Sequence, residues 1–176
     1  MVEHNYPAPW MKYLYDFHVT RDYFQCHEHL EEYWKHTGQM DRTLVAFIQL
    51  AVGAYHARRE NKAGALKMWK QALADLAASD EPYLGMDLVQ LRADVAIWIK
   101  RLLDDLQFED AELPFADVAL KSRLVDMAKQ KGRQFGDPSD IHDIELTHRH
   151  MRRDRTEVIE SRLQSLARKR GIAVDD

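Results

Sequence analysis

The chain has 176 residues, 45% apolar and 31% charged, which suffices for one domain with a real core and excludes wholesale disorder. Its 25 lysines and arginines against 29 aspartates and glutamates leave a net charge of -4, which disfavours nucleic acid as a partner. With 7 glycines and 5 prolines it lacks the turn-dense composition of a sandwich or barrel, so the expected class is all-α.

Trp10, Leu14 and Phe17, spaced i, i+4 and i+7, predict an amphipathic first helix over residues 10–17. Thr20 is the expected N-cap of a second helix, running from residue 21 to about 37 and stopping before Gly38. Asp41 caps a third, whose run from Leu44 to Tyr55 leaves almost no polar face, so it should lie between the others. A polar break at residues 58–61 precedes a fourth helix carrying Ala63, Leu66, Trp69, Leu73 and Leu76. Pro82 opens a fifth, and its stripe of Leu84, Leu88, Leu91, Val95, Trp98 and Leu102 ends near Leu106.

Beyond the fifth helix, residues 108–114 read as a linker with three carboxylates and residues 120–131 as a shorter helix closed by Gly132. His142, His148 and His150 stand among arginines interleaved with carboxylates, the pattern of a solvated charged segment. Val158, Ile159, Leu163 and Leu166 then give a helix with a narrow apolar stripe. The expected architecture is a compact antiparallel bundle of about five helices in residues 1–106, with a helical extension, 107–176, docked on the core or on a partner, a second copy included. On this division, deleting everything after Gly136 should leave a folded core with newly exposed apolar surface.

The lone cysteine, Cys26, excludes an internal disulfide and a multi-cysteine zinc site and fits a reducing cytoplasm. The N-terminal residues lack the cationic start and apolar run of a secretory signal, and the longest uncharged stretch, residues 43–57, is too short to span a bilayer. A cytoplasmic protein with no membrane partner is therefore expected.

The run Asp22-Tyr23-Phe24-Gln25-Cys26-His27-Glu28-His29-Leu30-Glu31-Glu32-Tyr33-Trp34-Lys35, followed by Ile48-Gln49-Leu50-Ala51, Tyr55-His56, Asn61 and Gly64-Ala65, resembles the small bacterial and archaeal family catalogued as domain of unknown function number 309. The resemblance spans residues 17–76 and implies a compact all-helical protein without implying an activity. The family often has a glycine before the apolar run and another where Glu60 stands; here the residues are Ala46 and Glu60.

His27, Glu31 and Trp34 lie at i, i+4 and i+7 on the second helix, and Gln49, Gly53 and His56 repeat that spacing on the third. Both stripes are expected to face inward. Gly53, lacking a side chain, would let the second helix approach and gather His27, Glu31, Gln49 and His56 into one polar pocket beside Trp34. An imidazole and a carboxylate one turn apart can chelate a divalent transition metal, with His56 as a third ligand and Glu28 or Glu32 as base. Without metal, His27 and Glu31 form an acid–base pair; without chemistry, the same residues tie two helices in register. The leading function is a small domain that binds a small ligand or protein through this pocket, with a metal-dependent hydrolase-like enzyme at the same place as the alternative. A third reading, a tetratricopeptide-like scaffold, rests on Gly53, Ala65, Trp69 and Ala72, which match the close-packing positions of that hairpin; no second copy follows 34 residues on.

Overall fold

The computed structural model describes residues 5–152, and among them are seven α-helices: α1 (Ala8–Tyr15), α2 (Tyr23–His36), α3 (Arg42–Arg58), α4 (Lys62–Leu76), α5 (Leu88–Leu103), α6 (Val118–Gln130) and α7 (Ile144–Arg152). Short polar side chains write most of the starts. Asp22, Asp41, Asn61, Asp87 and Asp117 stand one residue before α2 to α6, and each accepts a hydrogen bond from a backbone N–H of the first turn. A cap of this kind satisfies one of the donors a helix start leaves open and contributes about 1 kcal/mol.

Two starts differ from the expected ones. Thr20 does not cap α2, because α1 runs on into a π-helical turn, Asp16–Thr20, that ends with Arg21 in the left-handed region at φ 57°. The Thr20 hydroxyl donates to Asp16 and accepts from the Asp22 N–H, which shifts the cap to Asp22. Likewise α5 begins at Leu88 rather than Pro82: Tyr83 and Met86 exchange two backbone hydrogen bonds, of 3.0 and 2.9 Å, around a turn with Leu84 and Gly85 at positive φ. Gly85 is required there twice over, since a Cβ would stand 2.6 Å from a Leu120 methyl and 2.8 Å from the Tyr6 hydroxyl.

The apolar run of α3 does lie between neighbours, with α2 along one side and α4 along the other. Gly53 serves the second of these contacts. A Cβ there would sit 2.3 Å from the Trp69 indole of α4, whose Nε1–H donates to the Leu50 carbonyl at 3.3 Å. The close approach that Gly53 permits is thus between α3 and α4, not between α2 and α3.

Aromatic rings of α1 fill the centre: Trp10 meets Phe47 edge-on at 4.8 Å and stacks near Tyr13, whose hydroxyl donates to the Phe47 carbonyl. The core continues beyond residue 106 through Ala111, Leu113, Leu120, Leu124 and Ala128, all buried. Within the segment read from sequence as solvated and charged, residues 144–152 form α7, and Ile144 at its start is 59% exposed. The Val158–Leu166 stripe lies outside the described residues. Among the described residues no helix is long and apolar enough to cross a membrane.

Candidate functional site

On α2, the i, i+4 spacing places the Glu31 carboxylate 3.1 Å from His27 Nε2, while Glu28 reaches the other ring nitrogen, Nδ1, also at 3.1 Å. The imidazole is therefore held between two carboxylates, and one ligand atom from each residue can be chosen so that all three lie within 4.8 Å of one another. Lys35, one turn beyond Glu31, pairs with its second oxygen at 2.9 Å. The group is neither buried nor free: the His27, Glu28 and Glu31 side chains are 29%, 30% and 35% exposed. The stripe expected to face inward thus forms a half-buried ledge along α2.

Across from it, Phe24 of α2 and Tyr55 of α3 approach with ring centroids 6.2 Å apart. Gln49 and Trp34 each keep a polar atom out of water, Oε1 and Nε1, and neither atom has a hydrogen-bond partner among the described residues. His56 is engaged at the α3–α4 turn. Asn61 accepts from the Gly64 N–H through Oδ1, so its amide nitrogen donates to His56 Nδ1 at 3.1 Å and leaves the proton on Nε2. Burial, and then the neighbouring Arg59 charge, lowers the His56 pKa and keeps the ring neutral. A Cβ on Gly64 would stand 2.9 Å from that ring, so the Gly64-Ala65 pair lets α4 start against His56. Of the five residues singled out by spacing, the structure joins His27 to Glu31 directly and sets Glu28 beside them as an equal partner.

Cys26 is fully buried, donates to the Tyr13 carbonyl at 3.5 Å, and has its thiol pushed well up by burial, so it is core filler with no thiolate to offer.

A second polar constellation lies where the sequence reads as a linker and a polar break. Arg21, 2% exposed, donates to Glu112 Oε1 at 2.5 Å, to the carbonyls of Phe17 and Ala111, and to that of Asp137. Glu112 also accepts from His18 Nδ1 at 3.0 Å, and the His18 ring, fully buried, stacks on Phe135 at 4.9 Å. Arg58 lies over the Tyr23 ring, 4.7 Å from its centroid, and donates to the Arg21 and Leu146 carbonyls and the Ser139 hydroxyl. Asp110 closes the set by accepting from the Tyr23 hydroxyl and from Ser139. The only sequence signal for this network is three carboxylates in a segment without periodicity; Arg58, last in its helix, has the pattern of an ordinary cation at a helix C-terminus.

The profile of the family described as Domain of unknown function (DUF309) matches residues 10–68. The uncharacterized protein YpuF of Bacillus subtilis (strain 168) is 37% identical over 172 residues, covering 94% of this chain and 97% of its own length. No solved structure matches. The profile match covers α1 to α4 up to Met68, including the His27–Glu28–Glu31 ledge, and the relative extends the similarity over nearly the whole chain: the protein belongs to the DUF309 family.

Proposed function

We propose that the protein is a binding domain whose α2 ledge takes a divalent transition metal through His27 and the Glu28 carboxylate, with Glu31 orienting the imidazole. The observation that carries this reading is the imidazole set 3.1 Å from two carboxylates at once. Ligands about 2.1 Å from a tetrahedral metal stand about 3.4 Å from one another, close to the 3.1 Å between His27 Nδ1 and the Glu28 carboxylate. An imidazole nitrogen with a carboxylate oxygen suits zinc, manganese, iron or cobalt better than calcium or magnesium. A metal uses one ring nitrogen; the carboxylate on the opposite side then accepts from the remaining N–H and fixes the tautomer. Glu31, already tied to Lys35, fits that orienting role, and Glu28 the direct one. The partial exposure leaves positions open for water or a small ligand. His56, its Nδ1 held by Asn61 at the α3–α4 turn, is not part of this ligand set.

Titration of the full chain with cobalt, followed by visible absorption and calorimetry, tests the proposal. One equivalent is expected to bind. His27→Gln should abolish binding, and Lys35→Gln, which removes a competing cation from Glu31, should tighten it. A wild type that takes up no cobalt, or binds it equally well as His27→Gln, rejects the site.

A further inference from the structure

A cleft of about 740 Å³ opens between the end of α3, the start of α4, the second half of α5 and residues 105–111. The volume falls within the roughly 300–1,000 Å³ typical of small-molecule sites. Its apolar wall is aromatic: Trp69 and Trp98 face each other with ring centroids 5.8 Å apart, and Ile97, Leu102, Leu106 and Phe108 extend the surface. Ile97 is 55% exposed and Leu106 51%, so the wall stands open to solvent.

Most of the charge around the cleft is already matched. Lys62 pairs with Asp105, and Arg101 with Glu109 at 2.7 Å. Asp110 accepts from Tyr23 and Ser139. Glu60 stands exposed at the rim. Arg58 is the exception. It lines the cleft, is 7% exposed, and among the described residues donates only to uncharged oxygens, while its Nε–H is buried without an acceptor. Asp110 and Asp22 act on this guanidinium without a direct hydrogen bond; a buried N–H left without an acceptor is unfavourable, and an acceptor brought in by a ligand relieves it.

We propose that this cleft binds a planar aromatic small molecule bearing an acceptor oxygen, its ring against Trp98 and its oxygen turned toward Arg58. Contact with the Trp98 indole, which is backed by the buried Trp69, supplies the apolar contact, and the single oxygen supplies orientation. The site uses none of the α2 ledge residues, so its fate and that of the metal site are independent.

The chain has 4 tryptophans, so an isotope-labelled sample gives four indole N–H signals, and Trp98→Phe identifies the one inside the cleft. The probes are 2-naphthamide, 2-naphthoate and indole, the last a fused ring with no oxygen. Both naphthyl compounds are expected to shift the Trp98 signal saturably and to bind more tightly than indole. Tighter binding of the carboxylate marks an anionic natural ligand, tighter binding of the amide a neutral one; either supports the site. Ile97→Asp, an exposed change on the wall, should weaken binding by about tenfold or more. Val89→Asp, on the same helix and 52% exposed but outside the cleft, should leave it unchanged. No saturable shift, indole binding as tightly as the naphthyl probes, or equal loss from Ile97→Asp and Val89→Asp overturns the proposal.

Discussion

His18 and Glu112 are a pair in which each partner's environment sets the other's charge. Burial lowers the His18 pKa, and the charges of Arg21 and Lys121 act in the same sense against the opposing pull of Glu112, so the ring is neutral and its Nδ1–H donates. Burial alone would push the Glu112 carboxyl up, but the hydrogen bonds from His18 and Arg21 and the Arg21 charge outweigh it and hold it down, toward about 2. Both groups therefore bind fewer protons in the folded than in the unfolded chain, and stability falls as pH falls. The His18 contribution is complete above its ordinary value of 6.5 and erodes below it; the Glu112 contribution is complete above 4.5 and is lost toward about 2. Asp16, whose pKa burial raises, acts in the opposite sense, so a difference measurement is needed. Urea midpoints of wild type and Glu112→Gln should converge as pH drops from 6 to 3; a gap that stays constant over that range removes Glu112 as an acid sensor.

At the scale of the helices, periodicity is enough for α3, α4 and the body of α5, because an apolar stripe and a capping Asp or Asn are local signals. It misleads where the backbone departs from helix to place a side chain. The π turn after Tyr15 and the left-handed Arg21 exist together with a buried guanidinium that donates to four oxygens, and nothing in residues 16–22 alone announces that. At the candidate site, helical spacing is sufficient to join His27 to Glu31, since both ride one helix; the same rule passes over Glu28 as a ligand because adjacent residues on a helix do not normally share a face. The role of Gly53 requires knowing which neighbour it meets. Gly53→Ala forces a methyl into the Trp69 indole, which is held by its bond to Leu50, and should destabilise the fold by about 1–3 kcal/mol. Gly53→Ala with Trp69→Phe should recover part of that loss, measured by denaturant unfolding; no recovery means that the strain lies elsewhere.

For the molecule as a whole, a division at residue 106 makes residues 107–176 an extension, yet the bonds of two buried arginines cross that boundary. Arg21 donates to Asp137, and Arg58 to Ser139 and Leu146, while Ser139 also ties down Asp110. Deleting the residues after Gly136 removes three acceptors from guanidinium groups that are 2% and 7% exposed. A hydrogen bond to a charged group contributes about 1.5–3 kcal/mol, and water admitted by the deletion replaces part of it, so a loss of about 3 kcal/mol is expected. That is a large share of a typical domain's stability, so the core left by the deletion is expected to be markedly weakened. Truncation after Arg152 keeps every one of these acceptors and provides the comparison. Arg58→Met then separates lost hydrogen bonds from mere loss of chain. If Arg58 acts through residues 139 and 146, the substitution should cost several-fold more stability in the chain ending at Arg152 than in the chain ending at Gly136, where those partners are already gone. Equal costs in the two backgrounds would mean that Arg58 stabilises the fold through Tyr23 and the Arg21 carbonyl alone, and that residues 137–152 lie on the core without holding it.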